Sequence, residues 1–221
     1  MQHSAKINRL SGPIIQIRVG EEGHQENFFV HQSILTTHSE FFVRATNGKW
    51  AESDERLVTL PDDRPEIFRL YVNILYTTEV ATKGHEEWES LCRLYILAEK
   101  LQDVVTKNRL TDAICWFLTS EAAPIRKDTG GNLIYPRYQP SAQSIEELYA
   151  RTPEASPLRR LVIDYYTENA NHTWLEEGRA VLPADFLCDL AVVVLRKSAP
   201  VNCAQPMREG FSHYHESRGI A

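Results

Sequence analysis

Cysteine is scarce in this chain, with only Cys92, Cys115, Cys188 and Cys203 among 221 residues, far apart and without a C-x-x-C pair. That spacing argues against a disulfide framework and a zinc ribbon. The first three fall within apolar helical patterns, so buried free thiols are expected. No apolar run approaches the roughly 20 residues that span a bilayer, and the opening MQHSAKINRL has no apolar core of a secretory leader. The expectation is therefore no membrane association and an intracellular location, cytoplasm or nucleus. A basic stripe is also missing. With a net charge of -6, direct binding to nucleic acid is not expected, because releasing counterions from phosphates needs clustered Lys and Arg. Gly130-Gly131 is followed by neither a glycine-lysine pair nor a dinucleotide fingerprint and reads as a turn, and there is no G-x-S-x-G elbow. No cofactor is expected. What is present is ordinary folded composition, 43% hydrophobic and 24% charged.

The densest stretch runs from Phe28 to Trp50. Phe28, Phe29 and Val30 follow the polar run GEEGHQEN and read as a short strand entering a core. Ser33, ahead of Ile34 and Leu35, is placed to cap a helix. Ser39 repeats the device ahead of Glu40, Phe41 and Phe42, with Ala45 extending the stripe and Gly48 where a helix stops.

On either side the periodicity is plain. Ile15, Ile17 and Val19 alternate with Gln16 and Arg18, a strand with one face in the core, and Leu57, Val58 and Leu60 give another, ended by Pro61. Asp62, Asp63, Arg64 and Pro65 open a helix striped by Ile67, Leu70, Tyr71, Ile74 and Leu75. From Glu86 to Leu101 apolar residues cover most of the circumference, as a central helix requires. Leu110, Ala113, Ile114, Phe117 and Leu118 mark a narrower helix that ends before Pro124. Strands first and helices afterwards indicate an α+β domain, helices packed on a small sheet. The Gly- and Pro-rich segment 124–139 reads as a connection with little structure. Beyond it Ser141 or Ser144 caps a helix with Ile145, Leu148 and Tyr149, and Ser156-Pro157 opens one with Leu158, Leu161, Val162 and Tyr165. Pro183, Ala184 and Asp185 open a third, striped by Leu187, Leu190, Ala191, Val194 and Leu195 and ending in Arg196 and Lys197.

A hydrolase could use His31 as base and Ser33 or Ser39 as nucleophile, but both serines stand where caps are required and no third member presents itself. His213 and His215, with His172 or Cys203, assemble a metal set only on paper, because a zinc site needs rigidly placed ligands and the first pair lies in the Pro- and Gly-containing terminus. The acidic pairs Glu21-Glu22, Asp62-Asp63, Glu86-Glu87 and Glu176-Glu177 read as solvated faces and first turns of helices. No catalytic, cofactor or metal residue is assigned, and the expectation is a non-enzymatic chain.

The pattern F-x-V-H-x-x-x-L-x-x-x-S-x-F-F, carried by Phe28, Val30, His31, Leu35, Ser39, Phe41 and Phe42, resembles the signature of the BTB/POZ domain. Upstream GPIIQIRVG is similar to that family's first strand. Downstream, W-A-E and RLVTLPDDRPEIFRLYVNILYTTEV resemble its next strand and third helix, so the match runs from about Ile14 to Leu118. The resemblance implies a protein-protein interaction module of BTB/POZ fold, a small β-sheet flanked by a cluster of α-helices. It implies two candidate partners: a cullin scaffold of ubiquitin ligases, which would make the chain a substrate adaptor, or a second copy in a homodimer or scaffold. Tyr76, Thr77 and Glu79 are the candidate contacts. Tyr76 serves either there or as core-edge packing, and Thr78, where the family usually has glycine, suggests a different turn after it. Only about a dozen residues precede Ile14, short for a swapped dimer. YARTPEASPLRRLVIDYY resembles the helical extension of fungal BTB proteins, matched at Pro153, Pro157, Leu158 and Arg159. The expected organisation is a short arm over 1–13, the BTB/POZ domain over 14–120, a linker over 121–140, a helical extension over 141–198 and a mobile tail over 199–221.

Overall fold

The computed structural model describes residues 12–47, 57–80, 87–120, 126–127, 133–134, 138–198 and 214–216. Gly48, the Trp50-Ala51-Glu52 motif, Glu86, Gly130-Gly131, Cys203, His213 and nearly all of the N-terminal arm lie outside them.

Strand β1 (Ile14–Val19) is the middle of a mixed three-stranded sheet. It pairs antiparallel with β2 (Glu26–His31), Ile17 opposite Phe28, and parallel with β3 (Leu57–Leu60), Ile17 opposite Val58. Alternation decides which side chains go in: Ile15, Ile17, Val19, Val30, Val58 and Leu60 are buried. Phe29 was expected in the core with its neighbours. It is 67% exposed, because a strand turns every second residue outward. Gly20 ends β1 at φ 108°, where an added Cβ would lie 2.7 Å from the His24 carbonyl oxygen, and its amide donates to Leu60 O at 3.0 Å.

Helices α1 (Gln32–His38) and α2 (Glu40–Thr46) follow β2. The chain turns into α1 two residues before Ser33, at His31, so Ser33 is inside the first turn and not its cap. Ser39 does cap α2, accepting from Phe42 N at 3.2 Å while its hydroxyl donates to Leu101 O at 2.5 Å. Helix α3 (Pro65–Thr77) buries Ile67, Phe68, Tyr71, Ile74 and Leu75. In α4 (Glu87–Lys100) and the turn after it, all nine apolar positions from Trp88 to Leu101 are buried.

Helix α5 (Val104–Ser120) starts six residues before the first striped position, because Asp103 supplies the start. Its buried carboxylate accepts from Thr106 N at 2.9 Å, Thr106 Oγ1 at 2.6 Å and Tyr71 Oη at 3.1 Å. Three donors offset the cost of taking that carboxylate out of water. Asp63, expected on a solvated face, is buried and bound by Lys100 Nζ at 2.5 Å.

The described residues fall into two compact units, one from 1–84 and 93–110, the other from 85–92 and 111–217. In the second, β4 (Arg126–Lys127) and β5 (Leu133–Ile134) form a short antiparallel pair within the expected connection. Helices α6 (Ala142–Arg151), α7 (Pro157–Asn169), α8 (His172–Gly178) and α9 (Ala184–Ser198) follow. Ser141 caps α6, and Trp88 Nε1 donates to Ser144 Oγ at 3.0 Å. Arg159 is buried: its guanidinium donates to Tyr149 O at 2.5 Å and to Thr152, and lies 4.3 Å from the Tyr149 ring centre. It thus satisfies carbonyls that the end of α6 leaves open. Phe186 of α9 meets the rings of Tyr149 and Tyr166 edge-on, and Tyr149 Oη donates to Asp189 at 2.9 Å. Within the segment expected as a mobile tail, Tyr214 is 1% exposed and donates to Asp164 at 2.8 Å, while His215 Nε2 lies 2.7 Å from Asp112.

Candidate functional site

The signature residues gather around the junction of β2 and α1 and the end of α3. Leu35, Phe42 and Val30 are buried, and Phe28 packs edge-on against Phe68 with centroids 5.0 Å apart. Phe41 is half-buried and faces a groove of about 420 Å³ with Arg44, Val58, Thr59 and Gln102.

His31 and Tyr76 are brought together across 45 residues of sequence. The Tyr76 hydroxyl accepts from the His31 amide at 3.3 Å and stands 2.7 Å from Nδ1. A tyrosine hydroxyl has one proton to give. Given to Nδ1, it leaves the ring proton of neutral His31 on Nε2. Of the two serines weighed as nucleophiles, Ser39 points its Oγ proton at the Leu101 carbonyl. His31 works as a clasp between the strand-to-helix turn and the last turn of α3.

With its hydroxyl held inside, Tyr76 still shows 39% of its surface, and Thr77 and Glu79 are exposed beside it. The turn that carries them is firmly built. Thr78 N donates to Ile74 O at 2.8 Å, Thr77 Oγ1 donates to Asn73 O at 2.8 Å, and Glu79 N donates to Thr77 Oγ1 at 3.1 Å. Thr78 does not divert the chain. It takes the left-handed conformation, φ 66° and ψ 6°, that glycine would take there.

Sequence reasoning missed the neighbourhood of this patch. Ile14 pairs opposite His31, and Phe29, two residues from His31, shares the same outward face of the sheet. Both are large, apolar and exposed. The period-2 alternation that buried Ile15 and Val30 already carried that signal. Among cysteines, Cys92 and Cys115 are buried, whereas Cys188 is exposed, on the face of α9 turned from its packing partners. Burial, and secondly the Asp112 charge, pushes the Cys115 thiol up to about 12. No group of three or more His, Cys, Asp or Glu suited to a metal ion occurs among the described residues, and no described helix is long and apolar enough to cross a membrane.

A mixed three-stranded sheet with helices gathered behind it, and a tyrosine clasped to the histidine of the strand-to-helix turn, define an α+β interaction module. Residues 15–117 match the family model of the BTB/POZ domain, so the chain carries that domain there, with further helices C-terminal to it. The BTB/POZ domain is a protein-protein interaction module and typically non-catalytic. Among solved structures, the chain is similar to the BTB domain of zebrafish PATZ1, at 22% sequence identity over 51% of this chain and 92% of that one, with a TM-score of 0.38.

Proposed function

We propose that this protein is a substrate adaptor whose BTB/POZ domain docks on a cullin scaffold through Tyr76, Thr77 and Glu79, inside the cell, with the helical region after residue 140 free to recruit a target. The observation that carries this reading is the Tyr76 turn, an aromatic ring offered to solvent from a backbone locked by Thr77 and Thr78. A ring fixed before binding loses little freedom on docking, which is how aromatic anchors come to dominate interfaces. Glu79 and Thr77 supply a polar rim, and Ile14 and Phe29 extend the apolar part.

The test is the solution mass of the full chain by light scattering, alone and with a cullin N-terminal domain. One cullin is expected per chain. Tyr76→Ala should abolish the complex, whereas Tyr76→Phe, which keeps the ring and loses only the bonds to His31, should retain it with a modest loss of stability. A mass indifferent to cullin leaves the rival reading, a self-associating scaffold.

A further inference from the structure

Helix α9 is apolar on two sides. Phe186 and Leu190 are buried in the second unit, but Ala184, Leu187, Cys188, Ala191, Val192 and Leu195 are all exposed, Leu195 by 70%. At about 100° per residue these six form one stripe, roughly three turns long, opposite the buried side. A second apolar stripe on a helix already packed through its first is ordinarily covered too. The middle of the stripe is small, Cys188 and Ala191, so another backbone could approach closely, and Leu187 and Leu195 stand on either side of it.

The charges beside the stripe say what the other helix is. Asp185 lies in the first turn and Arg196 and Lys197 in the last, with Asp185 and Arg196 exposed along the same flank. Two such helices laid parallel would set Asp185 against Asp185 and Arg196 against Arg196. Laid antiparallel and centred near Ala191, they set Leu187 against Leu195 and each Asp185 beside Arg196 of the other copy, both pairs along one flank. A two-fold interface pairs a surface with itself in this way.

We infer that the outer face of α9 is a self-association surface, on which a second copy of this chain packs its own α9 antiparallel. A single helix pair is a small interface, below the roughly 1,200 Å² of stable complexes, so the dimer is a weak one. It is separate from the Tyr76 turn and does not rest on the adaptor reading.

Sedimentation equilibrium of the full chain over about 1–300 μM tests it. The apparent mass should rise from 25.3 kDa towards twice that value. Leu195→Glu, at a position too exposed to disturb folding, should hold the chain at the monomer mass with an unchanged circular dichroism spectrum. Orientation is read by charge reversal: Asp185→Arg should weaken the dimer at least tenfold, and Asp185→Arg combined with Arg196→Asp should restore it. A monomer at every concentration overturns the inference and gives the face to a different protein or to the chain's own residues 199–213. A dimer untouched by Leu195→Glu overturns it as well and places self-association elsewhere.

Discussion

Thr78 pays for the shape of the Tyr76 turn in backbone strain. In the left-handed region a Cβ crowds the neighbouring carbonyl by roughly 1–2 kcal/mol, and a branched side chain fares no better than an unbranched one. Since Thr78 holds φ 66°, Thr78→Gly should stabilise the protein by about 1 kcal/mol, the relief of strain exceeding the entropy glycine adds to the unfolded chain. Urea titration checks this, the midpoint rising with the slope unchanged; a fall in midpoint would show that the threonine contributes contacts worth more than its strain. Single residues were also where sequence reading failed most. Ser33 satisfies the cap pattern as well as Ser39 does, and only the entry of the chain into α1 at His31 decides between them. Asp63 and Asp103 look like surface acids, because nothing local announces Lys100, Tyr71 or Thr106 as partners.

At the scale of elements, legibility followed the number of turns. Helices α3, α4, α6 and α7 repeat apolar residues over three or four turns and were found with their faces; β1 showed in its alternation, whereas β2 and β3 showed only as short apolar runs, which is why the outward turn of Phe29 was missed. Helix α8 has seven residues and one large buried side chain, Trp174, too few for a period; Asn171, whose side chain accepts from Thr173 N and Trp174 N, was its only announcement. The two-residue pair β4 and β5 and the turn at 214–216 carry no periodicity at all. The buried side chain that holds that turn is Tyr214, with His215 beside Asp112 nearer the surface. Tyr214→Ala should cost about 3–5 kcal/mol as a buried aromatic is lost, and Tyr214→Phe about 1.5–3 kcal/mol for the bond to the Asp164 carboxylate alone. Thermal unfolding of the two variants separates the terms; equal losses would assign the whole effect to the hydroxyl.

For the whole molecule, the thiols report how tightly the chain closes. In a Cys203→Ser background, one thiol of the native protein, Cys188, should react with a disulfide reagent within minutes, and Cys92 and Cys115 only on unfolding. The alkaline limb of stability follows from the same burial. Cys115 is raised from 9.0 to about 12, and Tyr71 well above 10.0, by burial first and then by the charges of Asp112 and Asp103 respectively. A raised value means that the folded state holds the proton more tightly. The stability this contributes is complete below pH 9 and is lost as pH rises towards 12. Unfolding free energy measured across that window should fall, and less steeply in Cys115→Ala.

The two units take their residues alternately along the chain, 85–92 going to the second before 93–110 return to the first. The ribosome therefore makes part of the second unit long before the rest. Trp88 leaves it 56 residues ahead of Ser144, which at roughly 5–20 residues per second is about 3–11 seconds. For that interval the nascent chain carries a bare tryptophan with no hydroxyl to receive its indole proton, and so presents chaperones with a binding site that the finished protein hides.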